Sequence, residues 1–156
     1  MRSFLAWAKN LKKELRTELW CSQMSWKPCD KSKYTIYLER AEQCKEAATI
    51  CFERRWWSAC VINAIHAVIA LADAFSVYKT GRRWAGQDHH EATDRLTKEV
   101  AAPGDKEVER YAKHMRYLIE IKTDAEYGDQ NIKEKDAINA LNHMKKCFEI
   151  MKPKFL

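Results

Sequence analysis

Apolar residues recur along most of the chain at helical spacing, and the breaks between these runs define the elements. Near the start, Phe4, Ala8, Leu11, Leu15 and Leu19 share one stripe, with Lys9, Lys12, Lys13 and Arg16 outside it. This predicts an amphipathic helix over about 3–20. Pro28 and the polar residues around it predict a loop over 22–31. From near Ser32, the residues Tyr34, Tyr37, Leu38, Ala41, Cys44, Ala48, Cys51 and Phe52 keep a 3.6-residue period, with Glu39, Arg40, Glu42, Gln43, Lys45 and Glu46 on the other face. The stretch from Trp56 to about Tyr78 is different. Val61, Ile62, Ala64, Ile65, Ala67, Val68, Ile69, Ala70, Leu71, Ala72, Ala74 and Phe75 make it apolar almost all round, which marks a central buried helix.

The few polar positions of that helix are ordered. At about 100° per residue, Asn63, His66 and Asp73 fall within about 80° of one another and form one stripe. His66 and Asp73 are about 10 Å apart along the axis, beyond direct hydrogen bonding. The stripe reads either as a buried network tying the helix to its neighbours or as the floor of a site.

Beyond it, Gly81 is a natural helix stop, and Asp88 with Glu91 three positions later is a capping-box-like start for a short helix carrying Ala92, Leu96 and Val100. Pro103-Gly104 breaks the chain, and Val108, Tyr111, Ala112, Met115, Leu118, Ile119 and Lys122 mark a helix over 105–123. Asn131 with Glu134 offers a second cap pair, and Ile138, Leu141, Met144, Phe148 and Met151 line a last helix. Five to six helices joined by short loops predict an all-α, up-and-down helical bundle. It is expected to be a single domain over 1–156, with a core at about 33–152 and the N-terminal helix as an extension.

Composition supports this reading: only 4 Gly and 3 Pro occur, with 46% hydrophobic and 32% charged residues. The 28 basic and 22 acidic residues leave a formal charge of +6, which favours an anionic partner without requiring one. Basic residues recur along the chain rather than in a block, so a solvated helical surface accounts for them equally well. The six cysteines, Cys21, Cys29, Cys44, Cys51, Cys60 and Cys147, include no close ligand pair. Cys44 and Cys51 share a helical face, but reduced thiols are expected, with no metal and no other cofactor. No segment is read as reaching the ~20 apolar residues of a membrane span, and the apolar start is too short for a signal peptide. A cytoplasmic protein with no integral membrane association is the expectation.

Candidate chemistry concentrates in "TGRRWAGQDHHEATDRL", residues 80–96. Arg83 and His89 are separated by five residues, and Arg82 and His89 by six. A histidine can act as general base or acid toward a ribose 2′-hydroxyl or leaving oxygen while an arginine neutralises the phosphate, so RNA cleavage needs only such a pair well placed. Adjacent His89 and His90 project in different directions on a helix and cannot readily share a metal. Asp88 and Glu91 are accounted for by capping. Trp56, Trp57 and Trp84 read either as core or as exposed parts of an interface.

Taken together, the residues from Trp56 to Leu96 resemble the HEPN superfamily of small helical domains, in particular a compact bacterial branch with an IHAxIAxADA…GxDHxEA pattern. The matching positions are Ala64, Ile65, His66, Ala67, Ile69, Ala70, Ala72, Asp73, Ala74, Gly81, Arg82 or Arg83, Gly86, Asp88, His89, Glu91, Ala92 and Leu96. The segment from Leu118 onward is similar to that branch's "LK-xAEY" element and final helix. The resemblance implies an up-and-down bundle, commonly a homodimer, and an RNA-directed protein of the toxin-type, metal-independent endoribonuclease kind. His89 would be acid/base and Arg83 or Arg82 the phosphate clamp, with His66, Asp73, Asn63 and Asp88 as a supporting polar network. Its alternatives are a non-catalytic binding or dimerisation module and a nucleotide-binding accessory subunit. The partners implied are RNA or a nucleotide, an antitoxin or other protein, and a second copy of the chain. On the non-catalytic reading, His66→Ala or Asp73→Ala should lower thermal stability with no effect on RNA.

Overall fold

A computed structural model of the chain describes residues 25–129 and 131–156. The N-terminal helix expected over 3–20, and Cys21, lie outside the described residues. Six α-helices are present among them: α1 Tyr34–Glu53, α2 Trp57–Thr80, α3 His89–Arg95, α4 Lys106–Glu120, α5 Lys122–Tyr127 and α6 Glu134–Met151. The all-α bundle expected from the periodicity is therefore observed.

The apolar helix α2 is the hub, packing against α1, α6, α5 and α4. Along it, Val61, Ala64, Ile65, Ala67, Val68, Leu71, Ala74, Phe75 and Val77 are each 1% exposed or less. Its length and composition would suffice to cross a membrane, contrary to the sequence expectation, but 72% of its most apolar window is buried inside the fold. Its apolar circumference is spent on neighbouring helices. Tyr111 of α4, fully buried, donates its hydroxyl hydrogen to the carbonyl of Val68 at 2.6 Å and so ties α4 to α2.

The turn between α1 and α2 is only three residues long. Arg55 takes φ 58° there, a left-handed conformation that normally favours glycine, and Trp56 N–H donates to the Cys51 carbonyl at 2.9 Å. At the other end of α2, Gly81 takes φ 64° and donates to the Val77 carbonyl at 2.9 Å, the expected stop.

Two expectations about local structure are corrected. The segments read as loops on either side of this bundle core pair with each other: β1 (Trp26–Pro28) and β2 (Arg82–Trp84) form an antiparallel ribbon with Trp26 opposite Trp84 and Pro28 opposite Arg82. Its ends are closed by Cys29 N–H to Gly81 O at 2.8 Å and Ala85 N–H to Ser25 O at 2.7 Å. The N-terminal boundary of α6 is set by Asp136, whose carboxylate accepts from Lys133 N–H at 2.9 Å, and not by Asn131 with Glu134. With that boundary, Ala137, Ala140, Leu141, Met144, Cys147 and Phe148 face inward, while Ile138 is 41% exposed.

Candidate functional site

Gly81 releases the chain from α2 and the ribbon then carries it past the helix. Thr80 Oγ1 accepts from Arg82 N–H at 3.2 Å, and Ser76 Oγ donates to the Arg82 carbonyl at 2.8 Å, so the first residue of β2 is fixed to the last turns of α2. Side chains alternate along a strand, and the two arginines separate accordingly. The Arg82 guanidinium lies over the Trp26 ring at 5.1 Å. Arg83 takes the opposite side, where it lines a cavity and donates from Nη1 to the Trp84 carbonyl at 3.2 Å.

The return into α3 is capped as the sequence predicts, in part. Asp88 accepts from His90 N–H at 2.8 Å and Glu91 N–H at 3.3 Å. Glu91 does not complete the reciprocal bond; its carboxylate pairs with Arg95 at 3.1 Å. The cap points His89 inward and leaves His90 exposed.

The cavity has a volume of about 320 Å³ and lies between the ribbon, α2 and α3. Trp26, Trp84, Ile69 and Met115 give it apolar walls, and Lys27, Asp73, Arg83 and His89 give it charge. A second hollow of about 260 Å³ shares Ile69, Asp73 and His89 with the first and adds Arg40, Cys44, His66 and Lys122. His89 and Asp73 thus border both hollows.

The electrostatics at these two residues are unusual. Burial pushes the Asp73 carboxyl up to about 7, against the opposing pull of Arg83 and Arg40. Neither arginine forms an ion pair with it, and among the described residues Asp73 has no hydrogen-bond partner. Burial also lowers the His89 imidazole, and Lys122 and His66 lower it further, while Asp88 and Glu126 act the other way. His89 is accordingly neutral at pH 7, with a free nitrogen for a proton.

The polar stripe of α2 is not one network. Asn63 turns back to the Ala59 carbonyl of its own helix at 2.9 Å. His66 is half exposed, and its Nε2 lies 3.2 Å from the Glu126 carboxylate, which Lys122 also contacts at 2.7 Å. Burial alone would raise Glu126, but the Lys122 ammonium and His66 hold it below the usual carboxylate range. Asp73 is partly buried and lines both hollows, whereas His66 lines only the second.

Thus Arg83, His89 and Asp73 meet in one cavity and His66 borders the adjoining one, whereas Arg82 and Asn63 line neither. Trp84 is 7% exposed and edge-on to Trp26 at 5.3 Å, so it belongs to the cavity wall and not to an outer surface; Trp56, 53% exposed, is the outward one. Arg40, Trp26 and Lys27 were not singled out from the sequence. Arg40 looked like one solvated charge among several, and Trp26 and Lys27 arrive through strand pairing. Lys122 with Glu126, an i,i+4 pair on α5, was the readable signal for the far rim.

Among the described residues no three His, Cys, Asp or Glu side chains converge at metal-ligand spacing. The five described cysteines are free thiols. A family model, the HEPN domain, matches residues 34–154. No curated protein and no solved structure gives a significant match to the chain.

Proposed function

The chain belongs to the HEPN family, whose domains are associated with ribonuclease and nucleotide-related functions, and from that premise we propose that it is a metal-independent endoribonuclease. The observation that carries the reading is the meeting of Arg83 and His89 in one cavity large enough for a nucleotide unit. The neutral His89 takes the proton of a ribose 2′-hydroxyl, and the 2′-oxygen attacks the adjacent phosphorus. The bond from phosphorus to the 5′-oxygen breaks, and the His89 imidazolium returns its proton to that leaving oxygen. The products are a 2′,3′-cyclic phosphate and a 5′-hydroxyl end. Arg83 offsets the charge that builds on the phosphate oxygens in the transition state. Lys122 and Arg40, on the rim of the adjoining hollow, supply positive charge for a neighbouring phosphate.

The test is cleavage of single-stranded RNA in the presence of a chelator. His89→Ala is expected to abolish cleavage while the melting temperature stays within a few degrees of wild type. Undiminished cleavage by that variant would remove His89 from the mechanism. Binding of nucleotides with no cleavage by the wild type would leave a nucleotide-binding subunit as the reading.

A further inference from the structure

Two residues that line the cavity carry polar groups without partners among the described residues. Buried carboxyls and indole N–H groups are nearly always hydrogen-bonded in folded proteins. Here the partly buried Asp73 carboxyl lines the cavity with no hydrogen bond or ion pair to another described residue, although the sequence reading had it supporting the arginine loop. Trp84, also on the wall and 7% exposed, leaves its Nε1–H without an acceptor. Gly86 packs on that edge of the ring, so close that a Cβ there would lie 2.6 Å from the indole. Trp26, Trp84, Ile69 and Met115 give the lining its apolar surface. Besides Arg83 and His89, which the cleavage mechanism uses, Lys27 is a further donor chain on the lining.

Apolar walls with a few fixed polar groups are the chemistry of a heterocycle pocket. The polar group that decides which heterocycle is the carboxyl. Above about pH 7 that carboxyl is ionised and only accepts, and its two oxygens suit two parallel N–H donors. Among the four RNA bases, guanine alone presents two adjacent donors on one edge, N1–H and N2–H. Adenine sets N6–H beside an accepting N1, cytosine sets N4–H beside an accepting N3, and uracil flanks its one N3–H with carbonyls. Each of these would aim a lone pair at a carboxylate oxygen.

We propose that this cavity is a guanine subsite, in which Asp73 accepts from N1–H and N2–H while Lys27 supplies a donor for the base's carbonyl edge. The proposal rests on the ribonuclease reading for the position of the scissile phosphate, which would lie at the mouth of the cavity beside His89 and Arg83. Asp73 is then a specificity residue and not a scaffold for the loop.

The experiment is a panel of the four nucleoside 3′-monophosphates, with inosine 3′-monophosphate as a fifth, titrated at pH 8 onto the full chain by calorimetry and by tryptophan fluorescence. Guanosine 3′-monophosphate is expected to bind roughly tenfold or more tighter than the adenosine, cytidine and uridine compounds, with inosine between them for want of N2–H. Asp73→Asn should remove that preference, leaving the weaker compounds where they were. Equal binding of all five, or preference for another base, overturns the subsite while leaving His89 and its cleavage test untouched. Loss of cleavage in His89→Ala alongside guanine preference would support both readings. Guanine preference in a protein that cuts no RNA would support the subsite and sink the nuclease. Should the Asn variant fail to fold, the wild-type panel alone decides.

Discussion

Asp73→Asn is expected to make the protein more stable, and by an amount that grows with pH. In the unfolded chain the carboxyl ionises at about 3.8, whereas in the fold burial holds it at about 7. Below about pH 4 both states carry the protonated acid and Asp73 costs the fold nothing on this account. Between about 4 and 7 the unfolded chain releases its proton and the folded chain resists, so folding loses ground steadily; above about 7 the penalty is complete. At about 1.4 kcal/mol per unit, the gap from 3.8 to about 7 sets a ceiling of about 4 kcal/mol. The cavity is open to water and two arginines lie near, which reduces the realised figure to about 2 kcal/mol. The asparagine is nearly isosteric and uncharged, so it removes this penalty and creates no void. Urea denaturation of both proteins at pH 4.5 and pH 8 tests it. The difference between variant and wild type should widen by about 1–2 kcal/mol on going to pH 8. Comparing the two proteins at each pH cancels His89 and the other titrating groups common to both. A difference that does not change with pH, or a wild type more stable than the variant at pH 8, would mean that Asp73 is stabilised as an anion inside the fold and would refute the reasoning.

Two further outcomes are expected. Asp88→Ala removes the side chain that accepts from His90 N–H and Glu91 N–H, and should cost about 1 kcal/mol in thermal or urea unfolding, with RNA cleavage falling further than stability because the same cap aims His89. In a proton NMR titration the His89 imidazole should show a midpoint below the usual histidine value, and Lys122→Gln should move that midpoint upward while leaving it short of the usual value, since burial is the larger cause; no movement would place Lys122 out of electrostatic reach.

The helical frame was legible because burial imposes a long, repeated signal. Residues 57–77 are apolar on every side, which a surface helix cannot tolerate, and Gly81 closes the helix where a left-handed residue is needed. The ribbon was illegible for the opposite reason. Three-residue strands carry one alternation at most, and Pro28 in β1 is the residue least suggestive of a strand; it is tolerated because β1 pairs on one side only. Of the site, Arg83, His89 and Asp73 were readable as residue types and spacing, but the choice between Arg82 and Arg83 was not. Strand alternation makes that choice, and the strand is fixed by its partner 50-odd residues earlier in the chain. The expected burial of His66 failed because an apolar run does not show which side of the helix is left uncovered: Ile65 and Ala67 beside it are buried, while His66 itself is half exposed. Ile138 failed similarly: Leu141, Met144, Phe148 and Met151 are inward as expected, but at the start of that stripe the small Ala137 and Ala140 take the inward positions and Ile138 lies at its exposed edge.

The antiparallel ribbon has a consequence for where the protein's boundaries lie. Trp26 and Lys27 form one side of the cavity, yet the family match begins at residue 34. Arg83, on β2, is aligned by a strand that lies outside the matched residues. A fragment cut at the edges of the domain would keep every helix of the bundle and both members of the Arg83–His89 pair, but Trp84 would lose its edge-on neighbour and Arg82 the ring it lies against. Fold and site therefore have different extents on this chain. The described α-helices fall within the matched residues, and the pocket is finished by a strap that lies outside them.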